Sequence, residues 1–485
     1  MELFVFFVIL LLILFIALFV FCKKTCNLFE GGYRTVELDR KNAAGRDLYL
    51  AIDMKHDMPT CNDDDLQLPS VDLLPEPYRD MLKSFHVDGA KPIGRGAMGI
   101  VFLCRFLEEF VKPGWRTVMC VKFTTDKNEA IISNIIYDEL KKKVNRIPEA
   151  QDNQIERAAN DYRICAVYGA TNIPMPSGEV YYAVLMQNMC GIPLSRINPL
   201  VNIALTTRKV TIFNIICGVY ALHEVFHIAH FDLKPDNIMY VRCACGTRAS
   251  IFANLRIIDW GCAIPMGEHK TFKSNGRDGT PLFMPPNHIV ALYGTGGSNE
   301  CVIGYKDDIF SLGIIMHILL TGMHYYTSPP IHAAMVNEAK EILSHPDRKQ
   351  AWVSKNIMGR WRDENLSILV TSALNPDENN RATIKDLINN PCFDDIPLDC
   401  VPNFLYEREE YIRRLDLNAE ETNEFILRNR EIDPIGLHVS DTTVPKIELP
   451  SLSKTYEEIP SISLSETHVQ TPLSKTYAYP TLIKK

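Results

Sequence analysis

The chain reads as an α+β protein, and three features of its 485 residues predict that class. Short strand-like runs rich in β-branched and aromatic residues, such as "IVFLCRF" and "RTVMCVKF", come first. Longer apolar runs at helical spacing, such as "TIFNIICGVYALHEVFHIAH", come later. Hydrophobic residues make up 46% and charged residues 23%, the composition of a globular protein with room for one large two-lobed domain or several smaller ones. The net charge of -8 provides no overall basic field, so nucleic acid is not an expected partner.

Residues 1–22, MELFVFFVILLLILFIALFVFC, predict one transmembrane helix, long enough at about 1.5 Å per residue to cross a ~30 Å hydrocarbon core. A cleaved signal peptide would begin with basic residues and end on small ones. This stretch has Glu2, no Lys or Arg, and bulky Phe19 and Phe21. Lys23 and Lys24 follow, so positive-inside bias places the long C-terminal part in the cytosol, as in a single-pass membrane protein. The fourteen cysteines fit that side as reduced, scattered thiols. Cys243 and Cys245 form a C-x-C with no second pair or histidine at zinc-finger spacing, which argues against a structural metal.

Residues 23–84 are mixed, partly acidic and proline-bearing, and are expected to be a linker. Residues 85–395 carry the densely apolar text of a folded domain. Residues 396–485 are expected to hold one helix, "EREEYIRRLDLNAEETNEFILRNREI", and then a low-complexity tail. In that tail LSKTY (452–456), LSETH (464–468) and LSKTY (473–477) form a degenerate repeat, a composition that rarely builds a core.

Within the domain several motifs point to phosphate chemistry. "GRGAMG" (94–99) fits G-x-G-x-x-G, which alone is a weak signal. A dinucleotide site would need it to open a helix. Here a strand-like run follows, so the reading is strand, glycine turn, strand, with backbone N–H groups free to approach phosphate oxygens. Lys122 ends "VMCVK", where alternation places its ammonium under the glycine turn, although most lysines are simply solvated. Asp232, Lys234 and Asn237 lie within six residues. Phosphoryl transfer needs a carboxylate to orient the attacking hydroxyl, a cation on the moving phosphate and an oxygen ligand for magnesium. Asp259 in "RIIDWGCAI" supplies a second metal position; a lone Asp-x-Gly is usually only a turn, but this one has company.

Taken together, Gly94, Gly96 and Gly99 with Val101, Lys122, "HFDLKPDN", "DWG", "GTPLFMPPN", "DDIFSLG" and "NPDENNRAT" resemble the eukaryotic-type protein kinase family, in family order over residues 85–395. The resemblance implies a small β-rich N-lobe over a large helical C-lobe, with ATP in the cleft and Mg2+ as its metal. It implies that Asp232 orients the substrate hydroxyl, Lys234 neutralises the γ-phosphate, Lys122 grips the α- and β-phosphates, Asn237 and Asp259 hold magnesium, and Met186 to Met189 form the hinge beside adenine. Lys234 and the "GTP" before the P-P-N segment resemble the serine/threonine branch, so protein substrates modified on Ser and Thr are expected. The tail repeats would then be a docking or phosphoacceptor segment, or simply a solvated tail.

Departures from the family pattern set further expectations. Phe231 stands where many members carry an arginine that reads a phosphate on the segment 260–287, so activity is expected to depend less on phosphorylation there. Trp260 replaces a phenylalanine of similar hydrophobic role. Asn287 replaces a glutamate that pairs with a buried arginine, here Arg381. Either Asp307 takes over, or Arg381 is less buried. The helix glutamate that pairs with Lys122 is assigned to Glu139, with Glu156 competing and Glu129 too close to the lysine. The rival to an active enzyme is a pseudokinase scaffold, favoured by Phe231 and Asn287. A small-molecule phosphotransferase is argued against by "GTPLFMPP" and "DDIFSLG".

Overall fold

The computed structural model describes residues 67–406 apart from 97–98, 112–115, 145–153, 176–177, 190, 197–203, 242–253, 268–270, 275–278, 295–300, 329–331 and 397–399. The apolar stretch 1–22, the helix expected after residue 406 and the LSKTY-like repeats lie outside the described residues. Among those described, no helix is long and apolar enough to cross a membrane.

The first elements are helix α1 (Tyr78–Ser84), strands β1 (Val87–Gly96), β2 (Gly99–Phe106) and β3 (Val118–Thr124), helices α2 (Lys127–Val144) and α3 (Gln154–Asp161), and strands β4 (Val167–Pro174) and β5 (Val180–Gln187). The strands form one antiparallel sheet in the order β1-β2-β3-β5-β4. Strand alternation sorts its side chains to two faces. Phe102, Met119, Val121 and Phe123 share one face with α1, whose Tyr78 ring lies 5.3 Å from that of Phe102. Val101, Leu103, Val118, Cys120 and Met186 cluster apart from them, on the face that carries Lys122. Residues 67–84, assigned to the linker from sequence, are therefore folded: Val71, Met81 and Leu82 are buried against the sheet.

The helical lobe follows with β6 (Gly191–Pro193), α4 (Leu205–Glu224), β7 (Ile228–Ala229), β8 (Ile238–Val241), β9 (Leu255–Ile257), β10 (Ile264–Pro265), β11 (Thr271–Ser274), α5 (Pro286–Tyr293) and β12 (Cys301–Gly304). It ends with α6 (Tyr305–Thr321), α7 (His332–Ser344), α8 (Pro346–Trp361), α9 (Glu364–Ala373), α10 (Ile384–Ile388) and α11 (Asn403–Tyr406). Helices α4 and α6 are buried almost all round, as apolar residues on every face require, and the others pack about them. Short ribbons β6-β8-β9, β7-β10 and β11-β12 carry the loops that reach the cleft. The expected α+β architecture, a sheet lobe over a helical lobe, is the one observed. Beyond residue 395 the fold continues, with Phe404, Leu405 and Tyr406 buried in the helical core.

Neither expectation for Arg381 holds in full. The guanidinium is buried, yet its hydrogen bonds go to carbonyl oxygens, those of Asn375 (2.9 Å), Lys306 (2.8 Å) and Pro376 (3.3 Å), and its face covers the Phe310 ring at 5.0 Å. Asp307 instead accepts from the Gly304 N–H at 2.6 Å and faces His288 Nδ1 at 3.0 Å. The Asn287 Oδ1 is buried without a hydrogen-bond partner.

Burial pushes the Asp307 carboxyl up to about 8, against the Gly304 N–H and the Arg381 charge that favour its ionised form. Burial likewise pushes His288 down to about 4. From pH 3.8 to about 8 the folded chain holds a proton on Asp307 that the unfolded chain releases, so this group's contribution falls as pH rises. His288 works in the opposite sense only between about 4 and 6.5, which leaves a net decline from pH 6.5 to about 8. Asp307→Asn imitates the protonated acid and is expected to flatten that part of the Tm profile in thermal scans. Parallel slopes for parent and variant would show that Asp307 is already ionised.

Candidate active site

The glycine motif is a hairpin tip. Gly96 pairs with Gly99 at the end of the β1-β2 ladder, with residues 97–98 between them. Gly99 has a second reason to be glycine: a Cβ there would sit 2.1 Å from the Phe123 carbonyl oxygen. Cross-strand register then places Val101 opposite Lys122. Met186, opposite Cys120, belongs to the same apolar face and also packs against the large core cluster in which Met189 is buried. Of the two hinge methionines singled out from sequence, Met186 lies on the face that carries Lys122, and Met189 follows it by three residues, just beyond β5.

Lys122 is the junction of the two lobes. Its Nζ lies 2.5 Å from Glu129 Oε1 and 2.8 Å from Asp259 Oδ1. Burial presses against the ammonium's charge, but the two carboxylates outweigh it and raise its pKa. Burial works to raise the Asp259 carboxyl too, and Lys122 outweighs it, holding Asp259 below its ordinary value. The Glu129 carboxyl is pushed up by burial despite the lysine beside it.

The assignment of Glu139 is thus corrected. Glu139 pairs with Lys142 on the outer surface of α2, one turn along the same helix. Glu156 bonds Arg116 at 3.0 Å and Tyr168 at 2.6 Å. Glu129 reaches the lysine because only two residues separate the end of β3 from the start of α2. The sequence held the signal: Asp126 followed three residues later by Glu129 is the spacing that marks a helix start. Ile132, Ile136 and Leu140 then bury the inner stripe of α2, and Asn128 Nδ2 donates to the Ala263 carbonyl at 2.7 Å, tying the helix to the segment after Asp259.

The loop after β7 brings the other expected residues together. The N–H groups of His230 and Phe231 donate to the two oxygens of Asp308, at 2.7 and 2.8 Å, and His223 Nε2 lies 2.9 Å from the same carboxylate. Asp308 belongs to "DDIFSLG", and an acid at the head of an apolar helix is the trace it leaves in the sequence. Phe231 adopts a left-handed φ of 58°, and the chain turns so that the Asp232 N–H donates to His230 Nδ1 at 3.2 Å. That leaves the proton of His230 on Nε2, 3.1 Å from the Ile258 carbonyl. Asp232 Oδ2 accepts from Lys234 Nζ (2.6 Å) and Asn237 Nδ2 (3.1 Å), and Oδ1 accepts from the Thr280 hydroxyl (2.6 Å). Lys234 Nζ also donates to Thr280 Oγ1 at 3.0 Å. Gly279, at φ +93°, lets this segment close up: a Cβ there would lie 2.3 Å from the Phe231 carbonyl oxygen.

A Lys122–Glu129–Asp259 cluster under a glycine hairpin, facing an Asp232–Lys234–Asn237 loop, narrows the family. Residues 88–393 match the family model described as protein kinase domain. The chain belongs to the protein kinase family. Among curated relatives, this kinase is 27% identical over 224 residues to "Probable serine/threonine-protein kinase fhkD" of Dictyostelium discoideum, covering 45% of this chain and 28% of that protein. It is 25% identical over 264 residues to "Serine/threonine-protein kinase par-4" of Caenorhabditis elegans, covering 53% and 37%. It is 26% identical over 219 residues to "Serine/threonine-protein kinase CHK1" of Saccharomyces cerevisiae, covering 44% and 37%. The chain spans about a third of the length of the curated relatives it matches.

In this kinase domain the arginine-for-Phe231 exchange has a visible outcome. Phe231 is buried in a small apolar cluster with Ala229, Met266 and Ile303. Trp260 is buried too, its ring edge-on to His230 at 5.7 Å.

Glu129→Gln removes the charge that holds Lys122 and is expected to lower phosphate transfer roughly a hundredfold. Glu139→Gln, on the outer face, is expected to change it less than about twofold. Rates measured on both variants check the assignment, and the reverse pattern would restore Glu139.

Proposed function

We propose that this chain is a membrane-anchored protein kinase that transfers the γ-phosphate of ATP to serine and threonine hydroxyls of proteins. The observation that carries the reading is the setting of Asp232. Its carboxylate is fixed by Lys234 and Asn237, and a threonine hydroxyl, that of Thr280, already makes the pair of contacts an acceptor needs: donation to Asp232 and acceptance from Lys234. A substrate hydroxyl in that position is oriented for attack and can pass its proton to Asp232. The relatives, all named as serine/threonine-protein kinases, support serine and threonine as acceptors.

The donor set fits a magnesium nucleotide. The side-chain hydrogen bonds of Asn237 run through Nδ2 and those of Asp259 through Oδ1, so Asn237 Oδ1 and Asp259 Oδ2 are hard oxygen ligands for Mg2+. Magnesium there would neutralise charge on the phosphate oxygens. Val101 and Met186 offer an apolar face to the adenine, and Lys122 a charge to the phosphates. A scaffold has no use for this complete set, and phosphate transfer itself separates the two readings.

Regulation follows from Phe231. An apolar cluster stands where a phosphate-reading cation would be, and among the described residues of the segment Met266 is held by that packing and Thr271–Ser274 by pairing with β12. The anchor rests on the hydropathy of residues 1–22, and confinement to a membrane raises the effective concentration towards membrane-bound substrates.

Full-length protein incubated with magnesium, γ-labelled ATP and a generic basic protein is expected to place label on serine and threonine. Asp232→Asn should lower transfer by roughly 10²–10⁴-fold. Thr271→Ala and Ser274→Ala should leave it in place; a requirement for phosphate at either position would sink the regulatory reading. Absence of transfer by folded parent protein would favour the scaffold. Alkali-resistant pelleting with membranes, lost on removal of residues 1–22, tests the anchor.

A further inference from the structure

Beside the catalytic loop lies a groove of about 250 Å3 that the chemistry above does not use. Leu194, Pro235, Phe283, Ile318 and Leu319 make its walls, and Ser195 and Asp236, both exposed, join across it through a 2.6 Å hydrogen bond. Two of the walls belong to the segments that hold the acceptor site. Pro235 follows Lys234 directly, and Phe283 lies three residues after Thr280. An apolar cavity of ~150 Å3 suffices for a benzene-sized group, so this groove has room for a branched aliphatic side chain.

The chain carries a segment of matching chemistry. Residues 407–485 lie outside the described structure, and within them LSKTY, LSETH and LSKTY share one pattern: leucine, serine, a charged residue, threonine. In each copy the threonine follows the leucine by three positions, at Leu452 and Thr455, Leu464 and Thr467, and Leu473 and Thr476. Three extended residues span about 10 Å, whereas the serine next to the leucine has only about 3.5 Å of reach. Length is no obstacle. Leu452 lies 46 residues beyond Tyr406, up to about 150 Å of chain, against a radius of gyration near 20 Å for a domain of this size.

We propose that the tail is a substrate of its own kinase domain, with each repeat's leucine seated in the groove and its threonine delivered to Asp232. The inference rests on the kinase reading and deepens it by naming a substrate. The threonine Oγ forms a bond to the γ-phosphorus of ATP as the bond from that phosphorus to the β-phosphate bridging oxygen breaks. ADP leaves with the electron pair, and the hydroxyl proton passes to Asp232. The carboxylates of Asp232 and Asp236 favour a cation beside the acceptor, so the two copies with lysine, at Lys454 and Lys475, should be modified faster than the copy with Glu466.

The test has two arms. Full-length protein is incubated with magnesium ATP and its sites are mapped by mass spectrometry; phosphate is expected at Thr455 and Thr476 first and at Thr467 later. In parallel, the enzyme is given a peptide of residues 471–479, TPLSKTYAY, and versions with Leu473→Ala or Thr476→Val. Loss of the leucine is expected to lower kcat/KM about tenfold, carried by KM, and Thr476→Val to remove the label. Ile318→Asp should bring the leucine-to-alanine ratio towards one, whatever its absolute rate. Equal kcat/KM for the leucine and alanine peptides, or label on a generic protein but none on the tail threonines, would overturn the proposal and leave the kinase reading standing. No label on any protein would overturn both.

Discussion

The buried carboxylate of Asp308 is the constraint on which the site depends. Taking a carboxylate out of water costs several kcal/mol, and here three N–H donors from His223, His230 and Phe231 offset that cost. Two of those donors are consecutive backbone groups, so the chain between them has little freedom left. It takes a left-handed turn at Phe231, a conformation that costs a non-glycine residue about 1–2 kcal/mol, and the turn aims the next residue, Asp232, into the cleft. Because Asp308 stands in the first turn of α6, a helix buried almost all round, the loop inherits the rigidity of the core.

A second constraint joins this loop to the sheet. Ile258 N–H donates to the Asn237 carbonyl at 2.9 Å, and the next residue, Asp259, at a left-handed φ of 68°, reaches Lys122 on β3. The same stretch is tied to the chain entering the sheet, since Cys165 N–H donates to the Ile257 carbonyl and Ile257 N–H to the Arg163 carbonyl, both at 2.9 Å. The lobes therefore meet through a backbone seam and through the lysine with its two carboxylates. A cationic lysine shared between a helix acid and a loop acid can exchange one partner for a phosphate without either lobe losing its own packing.

The sequence revealed most of this architecture because its motifs are local. A glycine hairpin between strands, an acid, a cation and an amide within six residues, and apolar runs at helical spacing each need only their neighbours to be read. What it concealed depends on distance through space. Glu129 was passed over because nothing along the chain says that β3 and α2 are separated by so short a turn, apart from the Asp126 spacing. Asp308 was quoted without a function because its three donors come from residues about 80 positions away. Residues 67–84 read as spacer because their prolines and acids outweighed, in composition, the few apolar residues that cover the sheet.

Two ionic links that the family resemblance implies are absent, and their replacements share a physical logic. At position 231 an apolar side chain occupies the place of a cation that would need a phosphate to complete it. The cluster with Ala229, Met266 and Ile303 is complete as folded and needs no second molecule. At Arg381 the cation is retained without its glutamate. An isolated buried charge would be costly, but a guanidinium has five donors, and three carbonyls with an aromatic face give it fixed dipoles instead of a carboxylate. Asp307 nearby caps the start of α6 through the Gly304 N–H, and its burial raises its carboxyl against the pull of the Arg381 charge. At position 231 an interaction that responds to charge in its surroundings has been exchanged for one that does not, and at Arg381 the hydrogen bonds have passed from a carboxylate to carbonyl oxygens. Met266 and the strand Thr271–Ser274 are thereby held by apolar packing and backbone pairing, and beside them the apolar groove along α6 touches both the catalytic loop, at Pro235, and the segment carrying Thr280, at Phe283.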